Sequence, residues 1–287
     1  EASGRSGDVR VETGDLEMCD GGQIANVTTG SGDSGNVIVS ASGKIAMEGS
    51  AASGLPSLIR ADTFNASGDA GNVTVNAGEL VLTDGAFIIS ATSSFDTNFP
   101  SGNGGDVSVH AEGDAVFSGV NSRGMTIEVG SGIHTLSLSS GAGKSGDTGS
   151  INLTAQNLTL RNGANISSGG NSPAGRGDIN ISVRDTMTVS GDSAQTELLE
   201  PGVYQLWWMT VFSTELYDKS VSGVYIRSGN RTELSDRTGN IRIRADRLLL
   251  SDGGTISTAT GGGGDAGNID LQVIGLEMEA GAVISSR

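Results

Sequence analysis

The sequence predicts an all-β chain wound as a single-stranded parallel β-helix, a solenoid of about eight coils. Three observations predict it. A glycine-anchored motif recurs along the whole chain, its apolar residues alternate with period two, and a second glycine follows the first at a constant distance.

The motif is Gly, then Asn, Asp or Ser, then apolar-polar-apolar. Its glycine stands at Gly7, Gly35, Gly71, Gly105, Gly149, Gly177, Gly239 and Gly267. The next residue is Asp8, Asn36, Asn72, Asp106, Ser150, Asp178, Asn240 or Asn268. The two apolar positions run from Val9/Val11 through Val73/Val75 and Ile151/Leu153 to Ile269/Leu271, and every one is Val, Ile or Leu. The residue between them is polar in every copy except Ile38. Such alternation buries one face of a strand and wets the other.

A second glycine follows at Gly21, Gly49, Gly85, Gly119, Gly163, Gly191, Gly253 and Gly281, 14 residues after the first in each copy. A second apolar pair precedes it, as in Leu80/Leu82 or Leu248/Leu250. It is displaced by one residue at Ile45/Met47, Ala115/Phe117 and Met187/Val189. A third apolar stretch follows it, marked by Ile24, Ile88, Ile166, Ile256 and Ile284. Each repeat reads as strand, bend, strand, glycine turn, strand. A hairpin repeat would need chain reversals with paired register, and a helix would need a 3.6-residue period; neither fits. No single repeat buries its own apolar edge, so equivalent strands must stack on those of the neighbouring repeats. At about 4.8 Å per coil the body is on the order of 40 Å long.

Stacking gives the residue after the first glycine a meaning. Asn36, Asn72, Asn240 and Asn268 are turn-forming residues, and they also suit a ladder of side-chain hydrogen bonds from coil to coil. The two readings are compatible. Gly21, Gly85 and Gly253 are read as turn glycines. No two Asp are neighbours in this series, so no like charges stack directly.

The first half of each repeat has constant length, and all variation falls between the second glycine and the next first glycine. Insertions are therefore expected along one edge of a single domain spanning 1–287. The largest arc, 192–238, holds Tyr204, Tyr217 and Tyr225, all three tyrosines, and both tryptophans, Trp207 and Trp208. With Phe212 these are the candidate contact residues. Two readings stand: the insertion folds over the flank and buries its own aromatics, or it meets a neighbouring chain or a glycan.

The chemistry of turnover is missing. His110 and His134 are the only histidines and lack metal-ligand spacing. Asp33, Asp69, Asp147 and Asp265 stand in Ser/Gly-Gly-Asp turns, where turn chemistry is the favoured reading over calcium. No metal, cofactor or catalytic residue is expected. The chain has 33 acidic and 17 basic residues, a net charge of −16, which argues against nucleic acid or an anionic membrane as partner. No apolar run is long enough to span a bilayer, and Glu1-Ala2-Ser3-Gly4 does not read as a signal peptide. The single cysteine, Cys19, is expected as a buried or half-buried free thiol.

The repeat unit Ser67-Gly68-Asp69-Ala70-Gly71-Asn72-Val73-Thr74-Val75-Asn76-Ala77, followed by Leu80-Val81-Leu82-Thr83-Asp84-Gly85-Ala86, resembles the repeats of filamentous-haemagglutinin-like exoproteins. These are large bacterial proteins secreted across the outer membrane through a dedicated partner transporter. The resemblance covers the chain outside the arc from Gly191 to Gly239. It implies a right-handed coil, an extracellular or cell-surface location, and roles in adhesion, matrix formation or toxin display. With the chemistry of turnover missing, a non-enzymatic structural and adhesive protein is expected. The expected partners are copies of the chain, or adjoining repeats of a longer one, and glycans or proteins of a host or matrix. A carbohydrate-binding module or a polysaccharide-active enzyme on the same scaffold is the alternative. Were Glu1 of another copy to follow Arg287, the next repeat glycine would fall 27 residues after Gly267, against a bare-coil spacing of 28. Head-to-tail stacking would then continue the coil almost in register.

Overall fold

The computed structural model describes residues 3–49, 55–64, 67–94, 101–121, 129–139, 146–170, 175–191, 202–206, 209–213, 222–228, 238–260 and 264–287. Among them the fold is all-β, without a helix, and nearly all pairing is parallel. The arrangement is that of a parallel β-helix or solenoid.

The strands form three walls. The first contains Val9–Thr13, Val37–Ala41, Val73–Ala77, Val107–Ala111, Ile151–Ala155 and Ile179–Val183. The second contains Leu16–Met18, Lys44–Glu48, Glu79–Thr83, Ala115–Ser118, Leu158–Arg161 and Thr186–Ser190. Two long strands, Ile241–Ser251 and Ile269–Met278, run through both walls and join them into one sheet. The third wall is a separate 8-stranded sheet of Gln23–Thr28, Leu58–Phe64, Phe87–Ser94, Gly132–Ser139, Asn165–Gly170, Gly223–Ser228, Thr255–Thr260 and Val283–Ser286.

The register follows the motif. Val9, Val37, Val73, Val107, Ile151, Ile179, Ile241 and Ile269 lie one above another in the first wall. Leu16, Ile45, Leu80, Ala115, Leu158, Met187, Leu248 and Leu276 do so in the second. The displaced pairs therefore stack with the others. The extra residue is taken up at the corner, where Ser42, Glu112 and Arg184 each donate their N–H to a carbonyl one lap earlier. The inward rows make one continuous core, and its central members, such as Val73, Leu80, Ile88 and Ile151, are fully buried.

The first glycines mark the tightest contact between laps. A Cβ on Gly71 would collide with the carbonyl of Gly35, and one on Gly105 with that of Gly71. The polar residue after each glycine forms the ladder in a specific way: its side-chain oxygen accepts the backbone N–H of the equivalent residue one lap on. Asn36 Oδ1 accepts from Asn72 N at 3.0 Å, Asn72 Oδ1 from Asp106 N at 2.8 Å and Asp106 Oδ1 from Ser150 N at 2.7 Å. The column continues through Asp178 and Asn240 to Asn268. Since one acceptor oxygen is the sole requirement, Asn, Asp and Ser interchange.

The second glycines are of two kinds. At Asp20-Gly21, Asp84-Gly85, Asn162-Gly163, Asp252-Gly253 and Ala280-Gly281 both residues have positive φ, for example 52° at Asp84 and 82° at Gly85. Thr83 O accepts the Ala86 N–H at 3.1 Å across this turn. The geometry is that of a type I′ turn, which elsewhere closes hairpins. Here the flanking strands go to different walls, so the turn makes a corner. At Gly49, Gly119 and Gly191 this dipeptide is missing, and a longer segment, called an excursion below, separates the glycine from the next strand of the third wall.

That corrects the expectation of insertions on one edge. Length variation is split between two corners flanking the third wall. Segments of differing length separate Gly49, Gly119 and Gly191 from the next strand of the third wall, and others separate Phe64, Ser94, Ser139 and Gly170 from the next strand of the first. Nor is 192–238 a single insertion, because Gly223–Ser228 within it is a rung of the third wall, pairing with Asn165–Gly170 and Thr255–Thr260.

Candidate functional site

The excursions have built necks. Ser57, which re-enters the third wall after the first excursion, donates its N–H to Gly49 O at 2.9 Å and its hydroxyl to Glu48 O at 2.8 Å. Ser131 repeats this with Gly119 O at 2.9 Å and Ser118 O at 2.8 Å. The same serine oxygens, with that of Ser222, accept from the turn glycines one lap earlier: Gly21 N, Gly85 N and Gly163 N. A serine at the end of each excursion thus ties it to the frame.

In the largest arc Gly202–Leu206 pairs antiparallel with Met209–Ser213, placing Tyr204 opposite Val211 and Val203 opposite Phe212. Trp207 and Trp208 are the two residues between these strands; they and Tyr217 lie outside the described residues. Tyr225 is separated from that group. It stands in the third wall, is 8% exposed, and donates its hydroxyl to Ser222 O at 3.4 Å. The structure assigns it to the wall, not to an open edge. Asn36, Asn72, Asn240 and Asn268 belong to the ladder, and Gly21, Gly85 and Gly253 to the corners, as described above.

The outer side of the third wall was not legible as a site. Its outward residues Leu58, Phe87, Ile89, Ala91 and Leu136 are buried in the middle laps. Phe87–Ser94 is consequently buried on both faces. Polar groups share this side. Arg60 Nη1 contacts Asp62 Oδ2 at 3.3 Å, while Asp62 Oδ1 has no hydrogen-bond partner. Burial raises the Asp62 carboxyl to about 7, against the opposing pull of Arg60 and the Ala91 N–H. His134 packs edge-on against Phe87, with ring centroids 5.3 Å apart. It keeps some accessible surface, yet dense packing strips its solvation and lowers its pKa to about 4. The neutral ring presents Nε2 to Gly130 O at 3.4 Å and Nδ1 to Ser167 Oγ at 2.9 Å. A carbonyl only accepts, so Nε2 carries the proton and Ser167 donates to Nδ1.

Inside the coil, hydroxyl groups brace the glycine corner. Ser90 Oγ donates to Gly71 O and accepts from Gly105 N, both at 3.0 Å. Thr148 Oγ1 accepts from Gly177 N at 2.9 Å and meets Ser168 Oγ at 2.8 Å.

The outer sides of the first and second walls carry solvated polar side chains. Asp178 stands at the corner just before the first wall: burial alone would raise its pKa, but the Asn240 N–H and the Arg242 guanidinium, 2.6 Å away, hold it below the usual range. Asp33, Asp69, Asn103 and Asp147 form a second acceptor column, with each Oδ1 receiving a backbone N–H of the next lap. Among the described residues no group of three or more His, Cys, Asp or Glu is placed to hold a metal ion, and no helix is long and apolar enough to cross a membrane. Cys19 is exposed, contrary to expectation, because Met18 takes the inward position and Cys19 opens the turn.

No protein-family model, curated protein or solved structure matches this chain.

Proposed function

We propose that this chain is a right-handed parallel β-helical rod of eight laps, extracellular or on a bacterial cell surface, with a structural and adhesive role. The observation that carries this reading is the unbroken lap-to-lap register of all three walls, reinforced by two columns of side-chain acceptors. Such a body gives reach and stiffness. The likeness of its repeats to filamentous-haemagglutinin-like exoproteins supports the surface location. Contacts with matrix or host glycans and proteins are assigned to the excursions flanking the third wall, led by Tyr204, Trp207, Trp208, Phe212 and Tyr217. Repetition along a rod makes such contacts multivalent.

Glycan- and matrix-binding arrays, read beside polysaccharide-turnover assays, test the proposal. Binding that falls in a Trp207→Ala/Trp208→Ala variant supports it. Absence of binding, or turnover of a polysaccharide, replaces it with another reading.

A further inference from the structure

We propose that the first lap of one copy of this chain seats on the last lap of another, in a strictly head-to-tail sense; this rests on the rod reading above. Whatever precedes Glu1 or follows Arg287 in a longer polypeptide would compete for these edges, so the occupant considered is a second copy of the 287-residue chain.

Apolar exposure points to the two edges. Among the described residues every large exposed hydrophobic lies in a terminal lap: Val27 in the first, and Ile274, Leu276, Met278 and Val283 in the last, with Ile274 at 86%. The inward rows are also only partly buried there, at Val9, Val11, Leu16 and Ile24 on one side and Ile269, Leu271, Val273 and Ile284 on the other. Both strand edges have unpaired backbone groups of the kind that recruit another strand.

The ladder gives the contact a direction. Each Asx oxygen points toward the following lap and accepts its N–H, so the last lap offers the Asn268 acceptor and the first lap offers the Asp8 N–H. Two last laps would face acceptor to acceptor. Head to tail, the equivalent rows match: Val9 over Ile269, Val11 over Leu271, Leu16 over Leu276. Arg5 falls over Asp265 and Arg10 over Asp270, two attractive pairs against one repulsive pair, Glu17 over Glu277. A contact of this heterologous kind does not close and yields a linear stack.

The glycine column supplies the test. A Cβ at every later first glycine would strike the carbonyl of the preceding lap, as at Gly35 against Gly7 and Gly267 against Gly239. Gly7 has nothing within 4 Å of a Cβ in the isolated chain. Gly7→Ala therefore fits the single chain but places its methyl against Gly267 O of a second copy. Sedimentation of the 28.9 kDa chain over a wide concentration range should show a ladder of end-to-end oligomers. Gly7→Ala should keep the circular dichroism and melting of the parent and raise the assembly midpoint more than about tenfold. Mixed in small amounts with the parent it should shorten the stacks, since it can occupy only their first position. A chain that stays monomeric at all concentrations overturns the stacking and leaves the rod reading standing. Distances between outward spin labels that do not grow with lap number overturn both. Oligomers that Gly7→Ala leaves unchanged overturn this interface.

Discussion

Asp62 allows a prediction worked from the structure. The residue is 5% exposed and lies between Val27 and Ala91 of the adjacent strands; among the described residues Arg60 is its one charged contact and Oδ1 is unpartnered. Burial lifts its pKa from 3.8 to about 7. The folded state thus holds the proton more tightly than the unfolded chain does. As pH rises from about 4 to about 7, the unfolded chain releases a proton that the folded chain keeps, and stability falls through that window. Above it the loss is complete and flat. A displacement of about three pH units corresponds to about 4 kcal/mol, an upper figure for a group that can gain water. Asp62→Asn mimics the protonated acid at every pH. The variant should unfold at nearly the parent's denaturant concentration at pH 4, and at a higher one at pH 8. Urea unfolding at both values measures this. A variant that is destabilised at pH 8, or whose offset from the parent does not change with pH, refutes the argument.

Other outcomes follow from the same contacts. Asn72→Ala removes the acceptor for Asp106 N and should cost about 1 kcal/mol in chemical denaturation, whereas Asn72→Ser, which keeps an oxygen as Ser150 does, should cost less. Gly71→Ala forces a methyl into the Gly35 carbonyl, and because backbone cannot yield there the melt should show a loss of at least about 2 kcal/mol. Phe117, fully buried, should cost about 3–5 kcal/mol on truncation to Ala. Ser90→Ala strands the Gly105 N–H and the Gly71 carbonyl inside the coil; local hydrogen exchange at Gly105 should accelerate far more than at Val107.

Much of the frame is readable from residues because one local rule repeats. Gly-Asx-apolar-polar-apolar fixes a strand, its face and its partner at once, so the stacking of Val73, Val107 and Ile151 is legible in the sequence. What escaped was written in fewer letters. Asp84-Gly85 is a hairpin dipeptide, and only the direction of the next strand shows that it turns a corner. The bracing hydroxyls of Ser90, in a strand, and Thr148, just before a first glycine, look ordinary in the sequence, since their partners are glycine backbone groups far along the chain. The third wall alternates weakly because both of its faces are buried in the middle laps, which hid Leu58 and Phe87 as outward positions and drew Tyr225 into the insertion. Cys19 followed the same logic in reverse: one residue past an inward Met18, period two turns it to solvent. The aromatic contact set stays a matter of composition for Trp207, Trp208 and Tyr217, which fall outside the described residues.

The central claim is that equivalent positions climb the rod at one strand spacing per lap. Pulsed electron paramagnetic resonance between two outward spin labels measures it, with Cys19→Ser removing the native thiol. Labels at Ser40→Cys and Ser182→Cys are four laps apart, and labels at Ser40→Cys and Gln272→Cys are six. The Cα separations predicted are about 19 Å and about 29 Å. A difference near two strand spacings between the pairs is the expected result. Equal distances, or a longer distance for the nearer pair, would contradict the stacked-lap account at its root.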